Sequence, residues 1–119
     1  MKIDIRFTHK ALVEKCKKGH NSSQYKLYSL YVDAMYNVSI RMLENKEDAE
    51  DIIQESFVTA FKNLASFKYE SSFGAWLKRI VINKSINHLK AKKITLVPMD
   101  TQDIPLNEVD FEIENKVEI

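Results

Sequence analysis

Between Met1 and Lys93 the chain contains no proline and only two glycines, Gly19 and Gly74. The residues that most often interrupt a helix are nearly absent from that stretch, so long helices are what it predicts. Pro98 and Pro105 both fall in the last quarter, where Asp and Glu dominate and apolar residues are isolated. The expected organisation is a helical domain over residues 1–93 and an irregular acidic linker or tail over 94–119. With 119 residues in all, one core can form and two cannot.

Residues 45–93 organise the rest. In their first half Ala49, Ile53, Ser56, Phe57, Ala60 and Leu64 fall on one stripe with the helical period of about 3.6 residues. Asp51, Gln54, Glu55, Val58 and Lys62 must then face elsewhere, which leaves an exposed acidic ridge. In the second half Phe73, Trp76, Leu77, Ile80, Val81 and Ile86 supply a broad apolar surface. Lys78, Arg79, Lys84, Lys90, Lys92 and Lys93 add positive charge to the same stretch, and no acid occurs between Ser71 and Met99. The net charge of +1 conceals this alternation of basic and acidic segments, which is what a partner would feel.

Taken in order, residues 1–7 read as a short strand or an ordered arm. Thr8 is the expected N-cap of a short helix bearing Ala11, Leu12, Val13 and Cys16, with Gly19 as its stop. Ser22 or Ser23 then caps a helix over residues 24–43. Its tyrosines, Tyr25, Tyr28, Tyr31 and Tyr36, read as core and rim packing, with a stacking platform for bases as the alternative. Asn45 followed by Asp48 resembles a capping box with Asp in place of Glu. Acids at 47, 48, 50 and 51 suit the helix dipole, whereas Gln54 and Glu55 lie beyond its reach. Residues 65–71 read as an aromatic loop containing Phe67 and Tyr69, closed by Ser71 or Ser72 as cap of a last helix over residues 73–92. The fold class is therefore all-α, a compact bundle of about four helices.

Several functions are disfavoured. His9, His20 and His88 are scattered, with neither a Glu-x-x-His pair nor a Gly-rich phosphate loop, so no enzyme and no cofactor is expected. Cys16 and His20 are four apart, but Gly19 ends the helix between them and there is no second pair, so no metal site is expected. A single cysteine and a start without an apolar run fit the cytoplasm. No window approaches the roughly 18 apolar residues of a membrane span.

The run Asp48-Ala49-Glu50-Asp51-Ile52-Ile53-Gln54-Glu55, with Phe67, Ser72 and Trp76-Leu77-Lys78-Arg79-Ile80-x-x-Asn83, resembles region 2 of the extracytoplasmic-function (ECF) group of bacterial sigma factors. Leu27-Tyr28 and Met35-Tyr36 also fit that family's preceding helix. The resemblance implies a transcription initiation domain that binds core RNA polymerase and melts the promoter −10 element. It assigns Asp51, Gln54 and Glu55, with Asp48 at the rim, to a coiled coil of the polymerase's largest subunit. It places a flipped base at the loop of Phe67, Lys68, Tyr69, Ser71 and Ser72. DNA contacts from Lys78, Arg79, Asn83, Lys84 and Asn87 follow on the next helix. An anti-sigma protein is the further partner it implies.

Where family members often carry arginine, this chain has Lys90, Lys92 and Lys93, which give charge without a bidentate fork. Lys68-Tyr69-Glu70 is not a pattern that translates into a preferred base. A complete member continues after its acidic linker into a second helical domain that reads the −35 element, so a shortened piece of a longer protein is expected. The competing readings are a polymerase-binding regulator or decoy that does not read promoters, and a generic nucleic-acid-binding bundle. The first leaves the basic helix and aromatic loop unexplained, the second the acidic ridge.

Overall fold

The structure, a computed structural model, describes residues 4–96, with side-chain surroundings for residues 4–93. The elements in order are α1 (Lys10–Lys17), α2 (Asn21–Leu43), α3 (Lys46–Lys62) and α4 (Phe73–Leu96). Short 3-10 turns lie at Ile5–Phe7 and Leu64–Ser66, and no strand occurs among the described residues. The all-α reading therefore holds. Residues 1–3 lie outside the described residues, and where a strand or arm was expected over 1–7 the described part is the Ile5–Phe7 turn, with Asp4 accepting from the Arg6 amide at 3.0 Å. The acidic tail over 97–119 also lies outside them.

Helix boundaries follow local chemistry, with some departures from expectation. The N-cap of α1 is His9, in the left-handed region at φ 62°, and not Thr8, whose backbone belongs to the preceding turn. At its other end the Gly19 amide bonds the Cys16 carbonyl at 3.0 Å and the His20 amide bonds that of Lys15 at 3.2 Å. This is a Schellman stop, and Gly19 at φ +80° is the residue that lets the chain turn. Helix α2 begins three residues earlier than expected because His20, and not a serine, precedes it. The His20 Nδ1 lies 2.8 Å from the Ser23 hydroxyl. Asn45 caps α3 as expected, its Oδ1 accepting from the Asp48 amide at 2.9 Å. Ser72 caps α4, accepting from the Ala75 amide at 3.1 Å. Helix α4 runs to Leu96, past its expected end at residue 92, since the sequence offers no breaker before Pro98.

The core lies where α2, α3 and α4 meet, with α1 packed on α2. Leu27, Met35 and Val38 of α2 meet Ile53, Phe57 and Ala60 of α3 and Phe73, Leu77, Val81 and Ile86 of α4. Val13 and Cys16 close the α1 side. Ser39 and Ser85 are wholly buried, with hydroxyls 3.1 Å apart, so each satisfies the other within the core. Gly74 near the start of α4 has a packing reason: a Cβ there would stand 3.0 Å from the Tyr31 ring. Tyr31 in turn sits edge-on to Phe73 and bonds His9 Nδ1 through its hydroxyl at 2.9 Å.

Candidate functional site

Helix α3 divides cleanly. Ala49, Ile52, Ile53, Ser56, Phe57 and Ala60 are buried, while Asp51, Gln54, Glu55 and Val58 are exposed. Positions 51, 54, 55 and 58 follow the i, i+3, i+4, i+7 rule and form one solvent-facing ridge. Val58, 54% exposed, extends the ridge with an apolar residue. Gln54 is steadied by the neighbouring helix, its Nε2 donating to the Tyr28 hydroxyl at 3.1 Å. Asp51 still suits the helix dipole, whereas Glu55 is an acid whose position helix stability does not explain.

Asp48 departs from this ridge. Its side chain is only 24% exposed and turns to α4, where Oδ2 lies 3.2 Å from Lys92 Nζ and 3.1 Å from His88 Nε2. The His88 approach is at ion-pair distance without the geometry of a hydrogen bond, so Nε2 has no hydrogen-bond partner. His88 first and Lys92 second hold the Asp48 carboxyl below its usual range. The capping-box reading is half right: Asn45 caps, but the Asp48 carboxylate serves this interhelical cluster.

The loop between α3 and α4 is more tightly built than its composition suggests. Phe67 is 2% exposed, with its ring centroid 4.7 Å from that of Tyr69, 5.1 Å from Trp76 and 6.0 Å from Phe73. It is a core residue and not the open stacking surface expected from its place in an aromatic loop. Tyr69 is half-buried, and its hydroxyl donates to Glu14 Oε2 at 2.6 Å. Burial, and then Glu14, push the Tyr69 hydroxyl pKa well above its ordinary value. The same bond comes first among the causes that lower the Glu14 carboxyl. Lys17 Nζ donates to the Phe67 carbonyl at 2.7 Å and lies over the Tyr69 ring, 5.0 Å from its centroid. Tyr69 itself adopts φ 59°, a left-handed conformation that costs a non-glycine residue about 1–2 kcal/mol.

The open polar groups of the loop are accordingly fewer than the sequence suggests. Lys68 and Glu70 are exposed. The half-buried Ser71 donates to the Ser72 carbonyl at 3.1 Å and can still accept. The Ser72 hydroxyl is occupied as a cap. Sequence reasoning missed Glu14, Lys17 and His88, because contacts 40 to 55 residues apart leave no local pattern.

On α4, Arg79, Asn83 and Asn87 are exposed at four-residue intervals, about 6 Å apart along the axis. Lys90 continues the line, and half-buried Lys78 and Lys84 flank it. Trp76 is partly buried and packs on Phe67 and Phe73. Among the described residues no group of three or more His, Cys, Asp and Glu is arranged to hold a metal ion. Nor is any helix there long and apolar enough to cross a membrane.

The molecule is thus a helical bundle with an acidic ridge on α3 and a basic, amide-bearing face on α4. The family profile of Sigma-70 region 2 matches residues 27–94, and the chain belongs to that family, in its ECF group. The ECF RNA polymerase sigma factor SigW of Bacillus subtilis is 37% identical over 84 residues, which are 71% of this chain and 45% of that protein. The ECF RNA polymerase sigma-E factor of Haemophilus influenzae is 34% identical over 87 residues, 73% of this chain and 46% of the relative. BldN of Streptomyces coelicolor, also an ECF RNA polymerase sigma factor, is 31% identical over 107 residues, 89% of this chain and 40% of the relative. The chain thus spans less than half the length of these relatives.

Proposed function

We propose that this domain docks on core RNA polymerase through α3 and, once there, engages and melts the promoter −10 element through the α3–α4 loop and α4. Asp51, Gln54 and Glu55 form the polymerase contact, with Val58 as an apolar edge. Carboxylates on an exposed ridge can take charge-assisted bonds from arginines of a partner coiled coil and steer its approach. Asp48 supports the ridge by tying α3 to α4. An anti-sigma protein that covered the ridge would keep the domain off the polymerase, and the cytoplasm is where all these encounters take place.

The DNA role is divided by type of contact. Arg79, Lys84 and Lys78 neutralise phosphate, which fixes the strand's register without reading it. Asn83 and Asn87 can each offer an amide to a base edge or a phosphate. An extruded base would enter beside Lys68, Glu70 and Ser71, with Tyr69 as a wall and Phe67 beneath it as a rigid floor. Holding that base offsets the few kcal/mol of unstacking. No bond is made or broken, and no cofactor takes part.

The observation that supports this reading most is the pairing of two exposed surfaces of opposite character on adjacent helices, both within the Sigma-70 region 2 segment. The test is promoter opening by the chain bound to core polymerase, compared with Arg79→Glu combined with Lys84→Glu. The double variant is expected to keep its polymerase association and lose opening. For the single strand, the slope of log affinity against log salt should become shallower by about 0.7 per lost contact. An unchanged slope and unchanged opening would remove α4 from the DNA track.

A further inference from the structure

The loop between α3 and α4 is held from outside. Lys17 grips the Phe67 carbonyl at 2.7 Å and Glu14 takes the Tyr69 hydroxyl at 2.6 Å. The two are one helical turn apart on α1, with Lys17 Nζ 3.4 Å from Glu14 Oε2, so they act as one clamp. Lys10 Nζ stands 5.6 Å from the Tyr69 ring centroid, and Phe7 packs on the same ring at 5.8 Å. Glu14, Lys17, Lys10 and Phe7, which meet Tyr69 from outside its own loop, thus all come from residues 7–17, ahead of the segment matched by the family profile. Tyr69 also has the left-handed backbone that non-glycine residues keep only when their surroundings over-determine it.

We infer that α1 sets the shape of this loop through Glu14 and Lys17, which serve as positioning residues for base recognition without themselves touching the base. The geometric half of this inference is independent of the proposed function, and only its consequence for DNA rests on that reading. Because the Tyr69 hydroxyl is spent on Glu14, it is not a donor for a base edge. Its ring and backbone are what the clamp fixes, and they fix in turn where Lys68, Glu70 and Ser71 stand. A change on α1 would then alter how the loop accepts a base.

The experiment compares the full chain with Glu14→Ala, Tyr69→Phe, the two combined, and Glu14→Gln, whose amide oxygen can still accept from the tyrosine. Backbone order parameters at residues 68–71 are expected near 0.85 in the starting chain, below about 0.6 in the first two variants, and no lower in their combination. Glu14→Gln should restore the starting value. Amide shifts in α3 and co-purification with core polymerase report that the fold is intact. The probe for recognition is a single-stranded DNA selected from a random pool on the chain bound to core polymerase. Its capture should fall about tenfold with Glu14→Ala and with Tyr69→Phe, and return with Glu14→Gln.

Order parameters that stay near 0.85 in the Ala and Phe variants would overturn the inference. So would a loosened loop that captures the strand unchanged, or a Gln variant as loose as the Ala one. If the starting chain enriches no strand, the nucleic-acid reading fails, while the order parameters still decide whether α1 positions the loop.

Discussion

Asp48 shows how one side chain can be drawn away from the role its neighbours suggest. It lies in an acidic run, but the Lys92 ammonium and the His88 ring across the helix pair take its carboxylate. Its carboxyl titrates below its usual range in the folded protein, whereas an unfolded chain returns it to about 3.9. A depressed folded value stabilises the protein above the unfolded one and ceases to do so as pH falls through the folded one. The contribution should therefore be complete by about pH 5 and fade below about pH 4. Asp48→Asn is expected to lower the melting temperature at pH 7 and to narrow the gap from the parent as the solution is acidified toward pH 2. Calorimetric melting over that range checks it, and a gap that stays constant with pH would exclude the ion cluster as the cause. Core residues are simpler: Leu77 is fully buried, and Leu77→Ala should cost about 2–5 kcal/mol in urea unfolding.

Among the elements, the turn from α1 into α2 is the one most dependent on backbone alone. Gly19 holds φ +80° with nothing within 4 Å of the position a Cβ would take. Gly19→Ala should destabilise by about 1–2 kcal/mol from conformation only, measured as a shift in urea midpoint without a change in slope. How far each element could be read from sequence follows from how local its determinants are. Helices α3 and α4 were legible because their apolar stripes repeat over many turns and because Asn45 and Ser72 are ordinary caps. The start of α2 was not, since His20 replaced the serine cap that propensity favours. The acidic ridge could be placed from helical phase once α3 was known, whereas Arg79, Asn83 and Asn87 were singled out by the family resemblance. The loop was legible as a loop and not as a surface. Whether Phe67 faces a base or the core depends on Trp76 and Phe73 beyond it and on Lys17 fifty residues before it. Pairing at that distance has no periodic trace.

On the scale of the whole molecule, the bundle presents faces of opposite sign on adjacent helices, and under the proposed function that division would let one small bundle approach two unlike partners. The acidic ridge on α3 and the basic face of α4 are held in fixed relation by a shared core that runs through Ile53, Phe57, Leu77 and Val81. The Asp48 cluster adds a polar tie between the same two helices. A change on one face should therefore leave the fold and the other face intact. Whether the α3 ridge is the proposed polymerase surface is decided by co-purification of the chain with bacterial core RNA polymerase, native against Glu55→Lys. Glu55 is exposed, so its replacement should leave helical circular dichroism unchanged. The native chain should be retained and the variant should not. A native chain that fails to associate, or a variant retained as well as the native, would contradict that role for the ridge.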